Sequence, residues 1–141
     1  MSNRDVFIKF QSYPLKVRGK LLFLRRLIFD VASTLDGESQ LEETLKWNEP
    51  SYLLKGGSAV RIDWKAKSPN QFFIYFNCKT RLVETFREYY GDQLDFDGNR
   101  AIVFTNGNDA SIESIHEELR HCIALALRYH SIKHLPMLGV S

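Results

Sequence analysis

The chain has 141 residues, with 19 Lys plus Arg against 17 Asp plus Glu and a formal net charge of +2. Hydrophobic residues make up 44% and aromatics 13%, which supports one domain over 1–141 with a real core and excludes a disordered chain. No apolar run approaches the roughly 18–20 residues of a membrane helix, and a charge of +2 leaves no nucleic-acid footprint. Met1–Tyr13 has neither the apolar stretch nor the cleavage site of a signal peptide. Cys78 and Cys122 both lie in apolar surroundings and are too few for a disulfide framework. They point to a reducing cytoplasm.

In chain order, Pro14 suits the first turn of a helix. Leu15, Leu21, Leu24, Ile28, Val31 and Leu35 recur at three- and four-residue steps and predict a helix over 14–34. Gly37 breaks the pattern. Leu41 and Leu45, four apart, predict a second helix over 39–46 with Glu38, Glu42 and Glu43 outward. The period then changes to two. Ser51–Lys55 and Ser58–Lys65 flank Gly56-Gly57, which reads as a two-residue hairpin turn. In that register Leu53 faces Val60 and Tyr52 faces Arg61.

Gln71–Cys78 is the most apolar strand, with Phe72, Ile74, Phe76 and Cys78 on the core face alongside Val60, Ile62 and Trp64. A plain loop over 65–70 would instead put Phe73 and Tyr75 there, so a bulge or a one-residue shift is expected. Thr80 caps a helix that buries Leu82, Val83 and Phe86 and ends at Gly91. Leu94–Phe96 and Arg100–Thr105 flank Asp97-Gly98, a second hairpin signal. A last helix over 110–132 buries Ile112, Ile115, Leu119, Ile123, Ala126 and Leu127. The expected fold is α+β: a five-stranded, mainly antiparallel sheet with helices packed on one face, in the order ααβββαββα.

The run Glu42-Glu43-Thr44-Leu45-Lys46-Trp47-Asn48-Glu49-Pro50-Ser51-Tyr52 resembles the signature of the YdhG-like domain-of-unknown-function family. That signature has an acidic residue, a Lys-Trp pair, usually Gly, then Pro and an aromatic two residues on. Asn48 replaces the usual Gly, and both tolerate a left-handed backbone. Leu24-Arg25-Arg26-Leu27-Ile28 and Gly98-Asn99-Arg100-Ala101-Ile102-Val103-Phe104 resemble weaker segments of the same family. The resemblance covers roughly residues 12 to 130. It implies a small intracellular bacterial protein of α+β fold, and some members are labelled frataxin-like iron chaperones.

Three constellations carry candidate chemistry. Glu38, Glu42 and Glu43 would share the acidic helix and offer oxygens to iron or another divalent ion. Lys79, Thr80 and Arg81 lead into a helix N-terminus, where free N–H groups and cations suit an anion. Trp47, Tyr52, Arg61, Asp63, Phe73 and Tyr75 are expected around the second face of the sheet, a mixture suited to a pocket or an interface. His130 and His134 are four apart, but no zincin glutamate follows His130. Glu117 and His121 share a helix face and suggest a surface pair. No nucleophile elbow, phosphate loop, dinucleotide fingerprint or paired-cysteine zinc motif occurs.

The charge is also segregated along the chain: net +6 over 1–29, −5 over 30–49, +4 over 50–90, −6 over 91–118 and +3 over 119–141. Alternating blocks favour complementary faces, within the fold or between two copies, over a basic nucleic-acid footprint. The expectation is a non-enzymatic cytoplasmic binding domain for a small molecule or protein, with a homodimer open. An iron chaperone using the acidic helix is the alternative.

Overall fold

A computed structural model of the chain describes residues 4–35, 40–106, 112 and 114–140. Among these, five α-helices and six strands form an α+β body. Helices α1 (Arg4–Ser12) and α2 (Leu15–Ser33) come first. Strands β1 (Glu42–Lys46), β2 (Glu49–Leu53), β3 (Val60–Asp63) and β4 (Gln71–Tyr75) follow. Then come α3 (Leu82–Tyr90), β5 (Phe96–Asp97), β6 (Ala101–Thr105), α4 (His116–Leu127) and α5 (Tyr129–Ile132). The sheet order is β1-β2-β3-β4-β6-β5, antiparallel throughout. The helices share one core with one face of this sheet.

Three elements differ from the sequence reading. The last helix, expected unbroken over 110–132, is interrupted at Arg128, whose φ of −113° and ψ of 11° leave the helical range, and forms α4 and α5. Helix α1 had no predicted counterpart, because Val6, Phe7, Ile8 and Phe10 form no clean stripe. Val6 and Phe10 turn inward, while Phe7 and Ile8 stay exposed. The second predicted helix is strand β1, so the sheet has six strands rather than five. Leu41 and Leu45 are four apart, and four is a multiple of the strand period as well as one helical turn. The deciding signal is Trp47-Asn48. Both residues take positive φ, 54° and 63°, and close a two-residue hairpin between β1 and β2 with Lys46 opposite Glu49. The Lys-Trp-Asn-Glu-Pro motif is thus a hairpin tip. Pro50 follows, and the ladder to β3 is made only by Ser51 and Tyr52, so the missing proline N–H costs no bond there.

The Gly56-Gly57 segment is not a two-residue hairpin turn: the tight turn runs from Leu54 to Gly57, closed by the Gly57 N–H on the Leu54 carbonyl at 2.9 Å, with Gly56 at φ 85°. Tyr52 pairs with Val60 and Ser51 with Arg61, one residue off the expected register. Gly57 also lets the chain pass the end of α4. A Cβ there would lie 2.3 Å from the Leu127 carbonyl oxygen, and Ser58 N–H bonds the Ala126 carbonyl at 2.8 Å. At the β3–β4 connection the expected shift does occur. Ile62 pairs with Ile74 and Asp63 with Phe73, which keeps Phe72, Ile74 and Phe76 in the core. Cys78, expected on the same face, is exposed, because the strand ends at Tyr75 and the alternation ends with it. Helix α3 buries Leu82, Val83 and Phe86 and stops at Gly91, at φ 59°.

Candidate functional site

The sheet's second face is uncovered and concave. Its floor is a small apolar cluster of Phe73, Tyr75 and Ala101 with Val103 against it, from β4 and β6. Phe73 and Tyr75 stack with centroids 5.3 Å apart and planes 23° apart. Strict strand alternation puts them here, since their neighbours Phe72 and Ile74 belong to the core. Around this floor lies a groove of about 670 Å³. Glu49, Arg61 and Lys65 border it on one side; Asp95, Asp97 and Arg100 border it on the other, with Lys67 in the β3–β4 loop.

One wall is held by a charge network. Glu49 is buried and accepts from Arg61 at 2.7 Å and from Lys65 at 2.6 Å. Lys65 also meets Asp63 at 2.8 Å. Asp63 is itself buried and accepts from the Tyr13 hydroxyl at 2.5 Å. Burial alone would lower the Lys65 pKa, but its hydrogen bonds to Asp63 and Glu49 outweigh that and raise it, so the ammonium stays charged. Buried carboxylates need such partners. The network also fixes the Arg61 guanidinium 5.6 Å and the Lys65 ammonium 5.7 Å from the Tyr75 ring centroid. Burial is the largest cause raising the Tyr75 phenol to about 12, so it is protonated at neutral pH and can donate.

Of the six residues expected around this face, Arg61, Phe73 and Tyr75 line the groove. Asp63 supports it from below through Lys65. Tyr52 does not belong to it. The one-residue difference at the β2–β3 pairing turns its ring into the core, where its hydroxyl donates to Glu43 at 2.8 Å. Trp47 sits at the hairpin tip, 84% exposed, beside a separate shallow hollow with Lys9 and Trp64. Glu49 and Lys65 were missed. No local signal marked them: Glu49 opens β2 and Lys65 follows β3, and only the pairing of these strands brings them together.

The acidic helix is not present as a helix. Glu42 and Glu43 are neighbours on β1 and point to opposite faces. Glu43 takes Arg25 at 2.6 and 3.1 Å and Tyr52 as well. Glu38 lies outside the described residues. Among the described residues, no group of three or more His, Cys, Asp and Glu is placed to hold a metal ion. At the start of α3, the Lys79 side chain is exposed and Thr80 bonds the Asn77 carbonyl at 2.6 Å. Arg81 sends its guanidinium to the carbonyls of Lys133 and Leu135, and its own N–H donates to the Tyr129 hydroxyl at 3.1 Å. Its cation is thus spent on the C-terminal segment. His121 meets the Tyr90 hydroxyl rather than Glu117.

No helix among the described residues is long and apolar enough to cross a membrane. No family model matches the chain, and neither a curated protein nor a solved structure matches it.

Proposed function

We propose that the chain is a binding module whose ligand occupies the groove on the open sheet face, a small molecule with a planar ring and polar substituents. The observation that carries this reading is the stacked Phe73–Tyr75 floor inside a groove of about 670 Å³. That volume falls in the range of roughly 300–1,000 Å³ usual for small-molecule sites. A flat ring gains contact over Phe73 and Val103, while Lys67, Arg100 and the Tyr75 phenol supply donors and Asp95 and Asp97 supply acceptors. The free thiols Cys78 and Cys122 favour a reducing compartment, the cytoplasm. The reading rests on the groove and draws nothing from the resemblance to the YdhG-like family.

The test pairs native mass spectrometry of freshly purified protein with a thermal-shift screen of planar heteroaromatic acids and amides. The expected result is a co-purified mass or a stabilising compound whose effect disappears in Val103→Trp, which fills the floor, and weakens in Arg100→Glu. If no excess mass is found and no compound stabilises the wild-type protein, the groove is not a small-molecule site.

A further inference from the structure

Five of the seven large apolar side chains exposed among the described residues lie on α1 and α2: Phe7, Ile8, Leu15, Leu22 and Phe23. Single exposed apolar residues are ordinary, but a group of them on one pair of elements marks a contact surface. The same two helices fall in the most basic block of the chain, net +6 over residues 1–29.

On α2 the buried stripe includes Val17, Leu21, Leu24 and Ile28. Leu15, Leu22 and Arg26 follow one another at steps of seven and four residues, so they share the side turned away from the core. On α1, Val6 and Phe10 are buried, and Ile8 lies opposite them with Arg4 one turn earlier on its side. Phe23 is turned toward α4, its ring 6.1 Å from that of His116. The centre of the patch is therefore Ile8, Leu15 and Leu22.

Four of the seven cations in this block are engaged. Lys9 meets Asp63, Arg18 bonds the carbonyls of Gln11 and Tyr13, and Arg25 meets Glu43. Lys20 has a partner too, as does Asp5, the acid of α1. Arg4, Lys16 and Arg26 are exposed and meet no carboxylate among the described residues. Asp30, the acid of α2, lies about two turns beyond Leu22.

Apolar side chains that protrude between unpaired cations complement the acyl boundary and the anionic headgroups of a lipid surface. A second copy meeting this patch would bring the same three cations together with no carboxylate to answer them. A nucleic acid would match the cations and leave the apolar side chains without a partner. Trp47, 84% exposed, stands beside the last turn of α1, where it shares a shallow hollow with Lys9 and Ser12. Indole rings favour the headgroup level of a bilayer, so Trp47 adds an anchor at the border of the patch.

We propose that α1 and α2 dock the protein on the surface of an anionic lipid bilayer, with Ile8, Leu15 and Leu22 at the acyl boundary and Arg4, Lys16 and Arg26 at the headgroups. The groove lies on the sheet face turned away from these helices and stays open to solvent.

Co-sedimentation of the full chain with lipid vesicles tests it. Vesicles of phosphatidylcholine with about one-third phosphatidylserine should bind the protein, and phosphatidylcholine alone should not. Binding should weaken as salt rises. Ile8→Glu and Leu15→Glu should each lower the partition by about thirtyfold, and the double variant Lys16→Glu/Arg26→Glu by about tenfold. Trp47→Ser should lower it by about threefold. Far-ultraviolet circular dichroism should be unchanged in all of them, since every substituted side chain is exposed. A wild-type protein that stays off the anionic vesicles at low salt overturns the proposal. So does binding indifferent to Ile8→Glu and Leu15→Glu, and so does equal binding to both kinds of vesicle. Self-association that is lost in Leu15→Glu and that vesicles do not compete with assigns the patch to a second copy and overturns it as well.

Discussion

The two faces of the sheet are built from the same strands and differ only in which alternate residue each strand presents. The covered face carries Val60, Ile62, Phe72, Ile74, Ile102 and Phe104 beneath the helices. The open face carries Phe73, Tyr75, Ala101 and Val103, walled by charged side chains instead of helices. On the covered face, burial comes from packing among apolar groups. On the open face, Phe73 and Tyr75 are each 7% exposed because they stack on each other within a concave, charge-walled surface. One face is therefore a core, and the other is apolar surface kept within reach of solvent and ligand.

That contrast is broken first at Ile74. Ile74→Ala opens a cavity in the covered face and should cost about 4 kcal/mol in urea unfolding. Next is Glu49→Ala, which strips Arg61 and Lys65 of a buried partner; it should cost about 3 kcal/mol and let both cations move off Tyr75. Phe73→Ala should cost less, about 2 kcal/mol, because solvent and neighbouring side chains reach the vacated space. If Phe73→Ala proves as costly as Ile74→Ala, the open face is a second core rather than a site.

The smallest effect lies between α3 and α4, away from both faces. Burial lowers the His121 pKa below the ordinary value of 6.5. The folded state therefore binds this proton less readily than the unfolded chain. Stability should be unaffected above that value and decline slightly as pH falls below 6.5 toward the lowered folded pKa. His121→Gln should flatten that decline in melting curves recorded between neutral and mildly acidic pH.

Much of this arrangement was legible from side-chain period. Phe72, Ile74 and Phe76 separate from Phe73 and Tyr75 by alternation alone. The need for a one-residue shift before β4 follows from loop length and polarity together. Tyr52 was not legible, because its face depends on where the β2–β3 ladder begins. Gly56-Gly57 does end a turn, with the Gly57 N–H on the Leu54 carbonyl at 2.9 Å, but Gly57 is also needed for a close approach to Leu127 that no local pattern announces. The partners of Glu43 are likewise set by distant residues: Arg25 lies 18 positions away.

By itself the sequence determined the α+β class, the apolar content of the central strands and the C-terminal end of α3, because period and Gly act within a few positions. Only the tertiary structure decided that residues 42–46 are a strand, that Tyr52 is core, and that Glu49, Asp63 and Lys65 form one network. Each of these depends on pairing register or on contacts between segments far apart in the chain. A spacing of four residues satisfies helix and strand alike until a neighbouring strand supplies the hydrogen bonds.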